Sequence, residues 1–171
     1  VQGGRYIYLA GFGVEKRLIL AVAKNIREVF GFEVRFSHLT IPPRLGYNPQ
    51  RGQYHGGTLL GFLSRVYYRD MLKLIALIPF DVYEEGLNFI FGLAQLGGSC
   101  ALVNTFRLQS KEERLFFDRV FKEVNHELGH TFGLMHCKDR KCVMSFSNSL
   151  WEVDAKSRFF CENCSKILPK P

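Results

Sequence analysis

The chain has 171 residues, 47% hydrophobic and 14% aromatic, which excludes a disordered chain and suits one domain with a sizeable core. No apolar run reaches the ~20 residues of a membrane-spanning helix. The 23 basic against 16 acidic side chains give a formal +7. Because the basic residues (Arg44, Arg51, Arg65, Arg69, Arg107, Arg119) are scattered, this reads as a solubility charge rather than a nucleic-acid footprint.

No secretory signal pattern opens the chain. Val1 is not a start methionine, so the expectation is that something preceded it. Residues 5–12 form an apolar, β-branched and aromatic run, a strand. Gly11 and Gly13 begin like a dinucleotide fingerprint, but Lys16 stands where the third glycine belongs, and a plain strand-to-helix turn is preferred. Residues 14–30 read as a helix with Leu18, Val22, Ile26 and Val29 on one face, closed by Gly31. Residues 32–37 are a second strand. Residues 40–57 hold Pro42, Pro43, Gly46, Pro49, Gly52, Gly56 and Gly57, too many breakers for regular structure, and the length suggests a functional loop. His38 and His55 border or occupy it without metal spacing and are read as structural or exposed.

Residues 58–68 read as a helix and 72–80 as a buried central strand. After a turn at 81–86, residues 87–93 and 100–106 form two more strands. Their short connection through Gly97 and Gly98 favours antiparallel pairing. Cys100 is read as a buried strand thiol. Ser110 with Glu113 is a capping-box pattern opening a long helix from Lys111. The order of elements predicts an α/β fold, a five-stranded mixed sheet with one antiparallel edge strand. The natural boundary falls after Gly133, giving a main part, 1–133, and a small tail, 134–171.

The long helix ends in His126-Glu127-Leu128-Gly129-His130-Thr131-Phe132-Gly133-Leu134-Met135-His136. Residues four apart share a helix face, so His126 and His130 can offer two imidazole nitrogens to one Zn²⁺. Glu127 lies beside that face as an exposed group able to deprotonate a metal-bound water. Phe116, Phe117, Val120, Phe121, Val124 and Leu128 form the apolar face, which leaves the histidines pointing to a cleft. Gly133 permits a sharp turn, after which His136 can return as a third ligand. A fourth position left open makes such a site catalytic rather than structural.

Of five cysteines, Cys137, Cys142, Cys161 and Cys164 cluster in the tail. An odd total with this spacing argues for metal binding over a disulfide framework, and reduced thiols imply a cytosolic setting. Four thiolates saturate a structural Zn²⁺. Lys138, Arg140 and Lys141 would offset its negative charge, and the metal would staple a tail too short for a core of its own.

Together these residues resemble the archaemetzincins, a branch of the metzincin metallopeptidases. The pattern is carried by His126, Glu127, His130, Gly133, His136, Cys137, Cys142, Met144, Cys161 and Cys164, and less strongly by Arg51, Gln53 and Tyr54. The resemblance implies a zinc-dependent peptidase with His126, His130 and His136 on a catalytic zinc and Glu127 as general base and acid. It also implies a second zinc on the four cysteines and Met144 as the floor beneath the first. Some metzincins place a tyrosine two residues beyond this methionine; Phe146 stands there. The expected partner is a peptide or protein substrate laid along the antiparallel edge strand near 87–93. A monomer is expected, with neither membrane nor nucleic acid as partner. A non-enzymatic zinc-stabilised partner-binding protein and a nucleic-acid-binding module are the alternatives, and neither has use for Glu127.

Overall fold

The computed structural model describes residues 5–171; Val1, which prompted the expectation of a preceding segment, lies outside them. The main sheet contains β1 (Tyr6–Gly11), β2 (Glu33–Phe36), β5 (Met71–Ile78), β7 (Gly92–Ala94) and β8 (Cys100–Asn104) in the order β2-β1-β5-β8-β7. β2, β1, β5 and β8 run parallel, and β7 is antiparallel to β8 at the edge. This is the α/β arrangement the order of elements predicted, including its one antiparallel edge strand.

Helices cover both faces of the sheet, so the central strands read as continuous apolar runs. Alternation sorts their side chains. Ile7, Leu9, Ile75, Leu77, Ala101 and Val103 face α1 (Lys16–Phe30) and α3 (Glu113–Thr131), meeting Leu18, Val22, Ile26, Val120, Val124 and Leu128. Tyr8, Ala10, Leu74, Ala76, Ile78 and Leu102 face the other way, onto Leu59 and Leu63 of α2 (Gly56–Leu63). Full burial of such Val, Leu and Ile side chains contributes roughly 1.5–3 kcal/mol each. The tail adds a small cluster of its own, Leu134, Cys142, Val143, Met144 and Cys164, with α4 (Leu150–Ala155) and α5 (Glu162–Ile167).

Four local expectations are corrected. Residues 40–57 are not loop throughout: β3 (Tyr47–Asn48) and β4 (Gln53–His55) pair there, and β4 joins β6 (Val82–Tyr83), inside the predicted turn, in a second three-stranded sheet. α2 begins earlier and ends sooner than predicted. His55 caps it by accepting the Thr58 N–H, and beyond Leu63 the chain tightens into turns from Arg65 N to Phe62 O and Val66 N to Leu63 O. The edge strand covers only 92–94; before it, Leu87 O and Asn88 O accept from the Arg51 and Gln53 side chains, and Ile90 N turns to Val82 O of β6. The Ser110 capping box does not form. Ser110 Oγ accepts from Glu112 N at 3.2 Å, and the helix starts at Glu113 with no side-chain cap.

Candidate active site

α3 is divided as its periodicity requires. Val120, Val124 and Leu128 are fully buried against the sheet, and Phe116, Phe117 and Phe121 pack around them. The opposite side turns His126, Glu127 and His130 toward a cleft of about 660 Å³ between β7 and the tail. The helix stops in a Schellman turn. Gly133 takes φ 94°, its N–H bonds to His130 O at 2.9 Å, and Leu134 N reaches back to Gly129 O at 3.0 Å. The end is also tied to the sheet. Gly97 N donates to His130 O, and Lys73 Nζ donates to Thr131 O at 2.8 Å.

The turn brings His136 to the two helical histidines. Its ring centroid lies 5.3 Å from that of His126 and 5.0 Å from that of His130, and one ligand nitrogen from each of the three falls within 4.8 Å of the others. His126 Nδ1 donates to Val143 O at 2.8 Å, and His130 Nδ1 to Leu134 O at 2.8 Å. Both Nε2 atoms are thereby left as acceptors. They stand 3.1 Å apart, close to the ~3.3 Å edge of a tetrahedron with zinc–nitrogen arms of 2.0–2.1 Å. Burial pushes all three imidazoles below their ordinary range, His126 the furthest, with the Lys156 ammonium adding to it. Neutral imidazoles are the form that binds metal.

Glu127 is buried rather than exposed, at 6% accessibility, and burial, then the neighbouring Glu123 charge, raises its carboxyl well above the usual range. The cause lies overhead. A Cβ on Gly92 would stand 2.7 Å from Glu127 Cγ and Oε2 and 2.8 Å from Leu102 O, so the edge strand rests directly on this side chain. Gly129 has the same role below, where a Cβ would meet Met144 Sδ at 2.4 Å; Met144, fully buried, packs against the helix between the histidines. A misplacement of about 1 Å at a reacting group can lower a rate by ~10². Gly92→Ala is therefore expected to reduce kcat/KM on a peptide substrate by about tenfold to a hundredfold at unchanged metal content; equal rates in both proteins would show that this contact does not position Glu127.

 Cys137, Cys142, Cys161 and Cys164 converge, with all four sulfurs within 4.8 Å of one another. Cys137 Sγ and Cys161 Sγ stand 3.8 Å apart. That matches the ~3.8 Å edge of a tetrahedron with zinc–sulfur arms of about 2.3 Å and is far beyond a disulfide bond. Backbone N–H groups point at the sulfurs: Cys161 N and Met144 N at Cys142 Sγ, 3.3 and 3.4 Å, and Cys164 N at Cys161 Sγ, 3.5 Å. The Cys164 N–H holds the Cys161 thiol below its ordinary range, while burial pushes Cys142 and Cys164 up. A cation bound among them would relieve that penalty. Cys137 N also bonds to Met144 O at 3.0 Å, so one short stretch joins His136, the sulfur cluster and the methionine. Both donor sets fit zinc in number, type and spacing.

The model of Peptidase family M54 matches residues 43–170. Archaemetzincin of Methanopyrus kandleri is 47% identical over 128 residues, covering 75% of this chain and 73% of that protein. Archaemetzincin of Archaeoglobus fulgidus is 35% identical, covering 95% and 98%. The chain belongs to the archaemetzincin family. The crystal structure of the Methanopyrus kandleri archaemetzincin superposes with a TM-score of 0.88 at 38% identity, over 96% of this chain and 93% of that one. The Archaeoglobus fulgidus structure, a complex with malonate, gives 0.84 at 33% identity, over 95% and 99%. As an archaemetzincin, the chain is a zinc metallopeptidase.

Phe146 is exposed at the cleft with its ring 5.3 Å from that of His136 and offers no hydroxyl. His55 is structural, capping α2 and meeting Glu84 at 3.1 Å, and His38 is exposed. Cys100 is fully buried, and burial pushes its thiol up to about 11. Sequence reasoning missed Gly92, Gly129, Glu123 and Lys156. Lys156 is buried, donates to Ser145 O at 3.1 Å, and lies 3.7 Å from Glu123 Oε1 and 3.5 Å from His126 Nδ1. No periodic signal marks these residues, because each acts through a contact made only on folding.

Proposed function

We propose that His126, His130 and His136 hold the catalytic zinc, that Glu127 is the general base and acid, and that Cys137, Cys142, Cys161 and Cys164 hold a second, structural zinc. The observation that carries this reading is the convergence of three imidazole nitrogens in an open cleft with the Glu127 carboxylate beside them. A zinc ion bound there lowers the pKa of water to about 7 and polarises a carbonyl. Glu127 takes a proton from the attacking water and delivers it to the leaving amine as the carbon–nitrogen bond breaks. Gly92 above Glu127 keeps its carboxylate from turning away. β7, free on its outer side, offers backbone groups to an extended peptide as an added strand. The same reading divides the chain after Gly133 into a main part and a tail stapled by the sulfur site.

The two sites should unload separately, because one has neutral ligands facing a cleft and the other four anionic ligands with no open position. A mild chelator is expected to remove one equivalent and stop cleavage while far-UV circular dichroism stays unchanged. A stronger chelator should remove the second and lower the melting temperature. Loss of both equivalents in a single step would contradict the assignment of two distinct sites.

A further inference from the structure

Residues 84–91 join β6 to β7, and 86–91 line the cleft, yet this segment has no strand ladder of its own. The carbonyls of Leu87, Asn88 and Ile90 are taken by side chains from elsewhere. Arg51 Nη2 donates to Leu87 O at 2.7 Å and Asn88 O at 3.2 Å. Gln53 Nε2 donates to Asn88 O at 2.8 Å and to Asp81 Oδ2 at 2.9 Å. Arg51 Nε in turn donates to Gln53 Oε1 at 2.8 Å, and its guanidinium lies 3.9 Å from the Tyr83 ring centre. Farther along, Asn104 Nδ2 donates to Ile90 O and Asn104 N to Phe91 O. Gln53 is buried, so its amide has little access to water as an alternative partner.

None of residues 40–57 lines the cleft. The long breaker-rich stretch stands behind the rim and grips it. Leu87, held by this grip, keeps an exposed apolar side chain on the rim.

We propose that Arg51 and Gln53 are positioning residues for substrate binding, forming a clasp that fixes the 84–91 rim and the approach to β7. The proposal rests on the peptidase reading. Neither residue lies among the groups proposed to bind zinc or move protons, so the clasp acts on binding in preference to chemistry.

The test uses Arg51→Met and Gln53→Met in the metal-loaded full chain. Hydrogen exchange without substrate is expected to speed up about tenfold in 84–91 and to stay unchanged in β5 and α3. On a peptide that the parent cleaves, KM should rise about threefold to tenfold with kcat within about twofold. Unchanged exchange and KM would overturn the proposal. So would faster exchange throughout the chain with kcat falling alongside, which marks a general structural role. A parent that cleaves no peptide would count against the peptidase reading alone, and the exchange measurement would still decide whether the clasp exists.

Discussion

Glu127→Gln is expected to bind metal at both sites and to lose cleavage by about 10²–10⁴, the range for removing a general acid–base group. Glutamine keeps the shape that fits beneath Gly92, so no cavity forms. It also removes a carboxyl whose ionised form is opposed by burial and by Glu123, so the melting temperature should not fall. Metal analysis, kcat/KM and a thermal melt on the same preparation decide the matter. Full activity in the variant would remove Glu127 from the mechanism.

Cys161→Ser should do the reverse, damaging the fold first and activity as a consequence. Metal binding at a structural site is folding free energy. Loss of a sulfur ligand is expected to cost several kcal/mol, and each kcal/mol is worth about 2–4 °C in a chain of this size, so a drop of about 10 °C should follow. Because Cys137 adjoins His136 and bonds to Met144 O, the variant should also bind less zinc at the histidine site. A melting temperature equal to that of the parent would rule out a structural metal on these sulfurs.

The parts legible in the sequence share one property: their determinants are close together in the chain. The apolar stripe of α3, the four-residue interval between His126 and His130, and the runs that became β1, β5 and β8 are local patterns. What could not be read depends on residues distant in sequence. β4 forms a strand because β6 pairs with it. Residues 87–91 carry strand-like apolar character but are held irregular by Arg51, Gln53 and Asn104. Ser110 offered the right residue type for a cap, and the chain used it two residues on. Glu127 looked exposed because helical spacing sets direction and says nothing of the strand above it.

That strand has a consequence for what can be digested. With Gly92 seated on Glu127, the distance from the pairing edge to the base has a hard lower stop and no intervening side chain to adjust. Under the proposed function the slot is therefore of fixed gauge, measured for one extended strand about 4.8 Å from β7. A segment in a helix or a folded sheet presents no free backbone edge to that slot, so the enzyme would sort its substrates by conformation before any side chain was read.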